Sequence, residues 1–130
     1  MMIALIFGVG ISYRQVPAAE IKETPTGKYQ KINSEQAKIM MTDAEAFILL
    51  DVRTEAEFKA KRIEGAVLIP DYEMKQRAAA ELPDKNARII LYCRSGRRSA
   101  KAAKDLIKMG YTNVFDFGGI NDWPYETISE

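Results

Sequence analysis

Arg88-Ile89-Ile90-Leu91-Tyr92-Cys93-Arg94-Ser95-Gly96-Arg97-Arg98-Ser99-Ala100 passes from an apolar run, through a loop holding one glycine and three arginines, into a helical pattern. A short apolar run bounded by such a loop reads as a buried strand. The helical pattern extends from about Arg98 to Met109. It puts Ala100, Ala103, Leu106 and Ile107 on one face and Lys101, Lys104, Asp105 and Lys108 on the other. Gly110 stands where that helix should stop. A strand that feeds a helix across a tight loop is half of a strand–helix–strand unit, the element from which parallel sheets are made.

The same alternation continues on both sides. Phe47-Ile48-Leu49-Leu50, Ala66-Val67-Leu68-Ile69 and Val114-Phe115-Asp116-Phe117 read as further strands, and Tyr29-Gln30-Lys31-Ile32 as an added edge strand. The runs between positions 47 and 92 are continuous rather than alternating, as in strands covered on both faces. Ser34 is expected to cap a helix through Met41. Thr54 and Glu57 fit a capping box, and Glu73 to Leu82 is rich in helix formers up to Pro83. The expected fold is α/β: a mainly parallel sheet of four to five strands with helices on both faces. In such sheets the site lies at the C-terminal ends of the strands.

A chain of 130 residues makes one domain with a real core. With 19 basic and 18 acidic side chains it has no basic face or polybasic tail, so nucleic-acid binding is not expected. The single cysteine excludes an intrachain disulfide. The absence of histidine excludes Cys/His zinc sites, Ser-His-Asp triads and Cys-His dyads. Residues 1–11 are apolar residues and glycine, too short a run to span a bilayer as a helix. They match the apolar part of a secretory signal, with Val16-Pro17-Ala18 before a cleavage point, yet no Lys or Arg precedes them. Two readings stay open: a periplasmic or secreted protein if residues 1–18 are a signal, a cytoplasmic one if they are a tail. Residues 17–28, with two prolines and a glycine, read as a linker, which puts the folded domain at 29–130.

Cys93 lies between a strand end and a helix start. Backbone N–H groups and the positive end of the helix dipole surround such a position, and arginines add full charges. Both favour thiolate over thiol. The alternative is a small buried hydrophobe without chemistry. Arg97 and Arg98 weigh against it, because cations at a helix N-terminus oppose the dipole. A local cost of that kind marks a functional site, here an anion pocket with arginine forks. Asp51-Val52-Arg53 ends the strand that begins at Phe47 and is expected at the same rim, either as a turn clamp or salt bridge or as part of the site.

These segments resemble a single-domain rhodanese, a sulfurtransferase, over roughly residues 29–126. Tyr92-Cys93-Arg94-Ser95-Gly96-Arg97-Arg98-Ser99-Ala100 is similar to the family's active-site loop. Leu49-Leu50-Asp51-Val52-Arg53-Thr54-Glu55-Ala56-Glu57-Phe58 and Ile63-Glu64-Gly65-Ala66-Val67-Leu68-Ile69-Pro70 resemble its first signatures. Tyr111-Thr112-Asn113-Val114 with Gly118-Gly119-Ile120-Asn121-Asp122-Trp123 resembles the C-terminal one. Arg62 and Glu64 stand where the family commonly has histidine and proline.

The resemblance implies that Cys93 attacks a small anionic sulfur donor such as thiosulfate, becomes a persulfide, and passes the sulfur to cyanide or a thiol. It implies that the N–H groups of residues 94–98, including Ser95 and Gly96, cradle the anion. Arg94, Arg97 and Arg98 would attract it, with at least one of them pointing to solvent. Asp51, Arg53 and Ser99 would support the loop, and Trp123 would pack the C-terminal segment. No metal or organic cofactor, no membrane span and a monomer are expected. Rival readings are a phosphatase or arsenate reductase on the same fold, whose essential arginine is the sixth residue after the cysteine, and a non-enzymatic persulfide carrier or partner-binding domain.

Overall fold

Each apolar run becomes a strand. The structure is a computed structural model and describes residues 27–130; the expectations placed on residues 1–26 lie outside that range. The strands are β1 (Gln30–Lys31), β2 (Ile48–Asp51), β3 (Val67–Leu68), β4 (Ile89–Cys93) and β5 (Val114–Gly119). The helices are α1 (Ser34–Thr42), α2 (Glu55–Ala60), α3 (Met74–Glu81) and α4 (Arg97–Lys108). The strands form one parallel sheet in the order β1-β5-β4-β2-β3. The expected α/β architecture is therefore the observed one, and β4 is its central strand.

Side-chain alternation divides the sheet into two apolar layers. Leu50, Leu91, Cys93 and Val114 pack with Met74 and Ala78 of α3 and Ala102, Ala103 and Leu106 of α4. Leu49, Ile90, Tyr92, Phe115 and Phe117 pack on the other side with Ala37 and Met40 of α1, Ile63, Ile120 and Trp123. Helices thus cover both faces. Every side chain of Ile89–Tyr92 is fully buried, which is why that run shows no polar alternation. Among the described residues no helix is long and apolar enough to cross a membrane.

Two local expectations need correcting. Helix α1 is capped by Asn33, not Ser34: the Asn33 side chain accepts the Gln36 N–H, and Gln36 reaches back to the Asn33 N–H. Asn33 and Gln36 are three residues apart, the spacing a capping box requires, whereas Ser34 is already helical. On α4, Asp105 is buried beside Ala102 rather than solvent-facing. Its Oδ2 accepts from Lys101 Nζ at 3.1 Å, and that partner makes burial of the carboxylate tolerable. The C-terminal segment closes the fold through an antiparallel bridge between Arg62 and Ile128.

Candidate active site

β4 carries Cys93 to the C-terminal edge of the sheet, and the chain turns over within three residues to start α4. Gly96 makes that turn at φ +113°, a left-handed conformation that side chains with a Cβ rarely adopt. The turn folds the Gly96 N–H back onto Cys93 Sγ at 3.0 Å. Ser99, one turn into α4, places Oγ 3.5 Å from Sγ and 3.2 Å from the carbonyls of Gly96 and Gly118. Cys93 is only 1% exposed, yet its sulfur is capped by an amide and a hydroxyl. It is buried at the edge of the apolar layer and in polar company.

The end of β5 forms the wall of this loop. A Cβ on Gly119 would stand 2.2 Å from the Arg94 carbonyl oxygen, so only glycine allows the approach. The Asn121 N–H donates to the same oxygen at 3.1 Å. Together they pin the first loop residue to β5.

The three arginines have different surroundings. Arg94 and Arg97 are exposed, as is Ser95 between them in sequence. Arg98 is half-buried, and its two guanidinium N–H groups donate to the two carboxylate oxygens of Glu57, each at 2.9 Å. Glu57 also completes the α2 capping box, accepting from Thr54 N–H and Oγ1 at 3.0 Å. Bonding to Arg98 above all holds the Glu57 carboxyl at about 2. Arg98 is raised from its ordinary value by the same pair. It braces the start of α4 against the start of α2, leaving Arg94 and Arg97 as the solvent-exposed arginines of the loop.

Asp51 and Arg53 occupy the same edge of the sheet but not the same side. Asp51 is in register with Tyr92, so its side chain lies on the α1 face, opposite Cys93. Arg53 Nε and NH2 donate to Asp51, the latter at 2.7 Å, and NH2 also donates to the Lys61 carbonyl. The Arg53 N–H donates to Asp51 Oδ1 at 2.9 Å. This is the turn clamp of the two readings. Burial works against the Arg53 charge, but the bonds to Asp51 outweigh it and raise the guanidinium from its ordinary value. Above it, Tyr92 Oη accepts the Ile63 N–H at 3.2 Å, and burial pushes that phenol up.

Three residues of the site were not singled out from the sequence: Glu57, Gly119 and Asp116. Glu57 was visible only as a cap, and its pairing with a residue 41 positions away is tertiary. Gly119 was visible within a signature, without its reason. Asp116 carried the clearest signal, an acidic residue inside an apolar strand. It is fully buried on the Cys93 side of the sheet.

Known proteins share this sequence pattern and fold. The chain is 41% identical over 73 residues to thiosulfate sulfurtransferase PspE of Escherichia coli strain K12, covering 56% of this chain and 70% of that protein. It is 36% identical over 94 residues to a sulfurtransferase of Allochromatium vinosum, covering 72% and 86% respectively. The solved structure of a rhodanese with anions from E. coli superposes with a TM-score of 0.61 at 36% identity, over 65% of this chain and all of that one. Residues 33–125 match the rhodanese-like domain, and the chain belongs to that family of sulfur-transferring proteins.

Proposed function

We propose that the protein transfers a sulfane sulfur from thiosulfate, or a donor of the same kind, to a thiophilic acceptor through a persulfide on Cys93. The observation that carries this reading is the Cys93 sulfur itself. It sits at the end of the central strand, with the Gly96 N–H aimed at it from 3.0 Å across a loop that exposes two arginines. The relative named thiosulfate sulfurtransferase and the rhodanese structure named with anions support the choice of an anionic donor.

The steps follow from the loop. Arg94 and Arg97 draw the dianion to the rim. The Cys93 thiolate attacks the outer sulfur, forming a new S–S bond. The bond to the sulfonate sulfur breaks, and sulfite leaves with its electron pair. A nucleophile such as cyanide then takes the outer sulfur, and the electron pair of the persulfide bond returns to Cys93 as thiolate. This is covalent catalysis in two half-reactions, with ping-pong kinetics. The enzyme's charge begins and ends on Cys93 Sγ, to which the Gly96 N–H donates, and rests on the outer sulfur in the persulfide. Preorganised donors of this kind lower the barrier because they need no reorientation.

The phosphatase reading loses support on the same geometry. The sixth residue after the cysteine is Ser99, fully buried and within 3.5 Å of Sγ, where that reading needs an arginine fork. Arg98, one residue earlier, is engaged by Glu57. A thiosulfate:cyanide assay on wild type and Cys93→Ala, with p-nitrophenyl phosphate in parallel, separates the readings. Expected are thiocyanate from the wild type alone, one added sulfur by intact mass after thiosulfate, and no Cys93-dependent phosphate release. Thiocyanate production that survived in Cys93→Ala would overturn the proposal.

A further inference from the structure

The near-equal numbers of basic and acidic side chains predict no basic face, and α4 departs from that expectation. Arg97, Lys101, Lys104 and Lys108 are all exposed, and their spacing of three and four residues makes one stripe along the helix. At about 1.5 Å of rise per residue the stripe is about 16 Å long. The opposite face, with Ala102, Ala103 and Leu106, is buried in the core. The one acid of α4, Asp105, is buried with its Oδ2 held by Lys101, so the exposed face of the helix carries no carboxylate of its own.

The stripe begins at the Cys93 loop. Arg53, Arg62, Arg77, Arg88 and Arg98 each meet a carboxylate, and among the described residues Arg94 and Arg97 are the arginines that do not. Lys104 and Lys108 likewise form no ion pair among the described residues. At the two ends of the neighbouring α3, Glu73 and Glu81 are both taken by Arg77. Like charges three and four residues apart repel, and Arg97 also opposes the helix dipole. No contact within the molecule offsets that cost, which points to a partner outside it, and a negatively charged one.

The length of the stripe decides the kind of partner. A small anionic donor needs only the arginines of the loop. The second half-reaction needs a thiol brought to a cysteine that is 1% exposed, and that calls for a surface that fixes orientation. Neither an ordinary nucleic acid nor a lipid headgroup carries a thiol to receive the sulfur, and the apolar face of α4 is occupied by the core rather than free to enter a bilayer.

On the sulfur-transfer reading above, we propose that the exposed face of α4 docks an acidic protein whose thiol takes the sulfur from Cys93. Acidic side chains of the partner lie along Arg97, Lys101, Lys104 and Lys108, and its thiol reaches the loop at the head of the stripe. That thiol loses its proton to solvent and attacks the outer sulfur of the persulfide. A new S–S bond forms on the partner, the bond to Sγ breaks, and its electron pair stays on Cys93 as thiolate.

The probes are two peptides of equal length with one terminal cysteine, one carrying glutamates spaced to match the stripe and the other glutamines in their place. Binding is read by anisotropy of labelled copies in which serine replaces the cysteine, on protein never exposed to thiosulfate. Transfer is read by intact mass after loading with thiosulfate. The test variant is Lys104→Glu/Lys108→Glu, which leaves Lys101 to hold Asp105. Lys38→Glu/Lys61→Glu makes the same charge change at exposed positions on α1 and after α2. The comparison of the two peptides on wild type needs no variant at all.

At low salt the glutamate peptide is expected to bind about tenfold tighter and to take sulfur about tenfold faster than the glutamine peptide. The test variant should lose about tenfold of each, and the control variant less than about twofold. In about 1 M salt, where the Debye length is about 3 Å, these differences should vanish. Equal binding of the two peptides would overturn the inference. So would an equal loss in the control variant, which would reduce the stripe to net charge. Tighter binding of a single-stranded DNA of the same charge, or of phosphatidylserine vesicles, would also overturn it, as would glutamate-peptide binding without faster transfer. If thiosulfate left no added sulfur on Cys93, the sulfur-transfer reading would fall, and the binding measurements would still decide whether α4 docks an acidic partner.

Discussion

The turns that follow β2 and β4 leave neighbouring strands at the same edge of the sheet, and both carry charged residues. After β2, the charged groups are consumed by one another. Arg53 spends its donors on Asp51 and the Lys61 carbonyl, and both side chains are almost fully buried. After β4, two arginines face solvent and the sulfur is met by one amide and one hydroxyl. A buried pair whose charges meet each other within the turn has little left for a guest and acts as a clamp. One with unfilled donors is where a guest can bind. The contrast explains why similar charged turns at one rim have different work.

Breaking the β2 turn should cost most. Asp51→Ala leaves Arg53 buried at 4% exposure without its counter-charge. The expected loss in urea unfolding is about 3–5 kcal/mol. A loss below about 1 kcal/mol, the scale of a surface pair, would mean the clamp is idle.

Next comes the wall of the β4 loop. Gly119→Ala must displace the Arg94 carbonyl, 2.2 Å from the new Cβ. Overpacking of this kind costs about 1–3 kcal/mol. Because the displaced atoms are the loop itself, thiosulfate turnover should fall further than stability does. Equal retention of both would show that the loop is not pinned by β5.

Glu57→Gln should cost about 1 kcal/mol at neutral pH, since the pair with Arg98 is a quarter exposed and screened by solvent. Arg98 holds the Glu57 carboxyl at about 2, below its ordinary 4.5. A lowered carboxyl value contributes stability above the ordinary value, and that contribution fades as pH falls toward 2. The wild type and the variant should therefore converge in stability between those two values. A constant gap across that window would place the effect elsewhere.

The smallest effect on stability should come from Arg97→Ala, within about 0.5 kcal/mol, as for other exposed side chains. Its effect should appear instead in kcat/KM for thiosulfate, as a loss of about threefold to tenfold that shrinks with added salt. An unchanged kcat/KM at low salt would remove Arg97 from donor capture.

The sheet was legible because four apolar runs had no other use, and the Thr54–Glu57 box announced the start of α2 from local spacing alone. Asn33 and Ser34 are adjacent polar residues that compete for the cap, and Gln36, three residues after Asn33, decides between them. Periodicity assigns Asp105 to the polar face by residue type, while its pairing with Lys101 lets the acid turn inward. The local conflict of cations at a helix start singles out Cys93 and its arginines as the candidate site. That Arg98 serves Glu57, and that Asp51 faces away from the thiol, depend on strand register and long-range pairing, which no local window contains.

The place of β4 has a consequence for motion. Its backbone is bonded on both sides, to β2 and to β5, along the run that ends at Cys93. Hydrogen exchange should find the amides of Ile90 and Leu91 protected until the whole molecule opens, while Ser95 exchanges by local fluctuation. The sulfur proposed to react would thus be mounted on a slow-opening segment, and the exposed loop that follows it on a faster one.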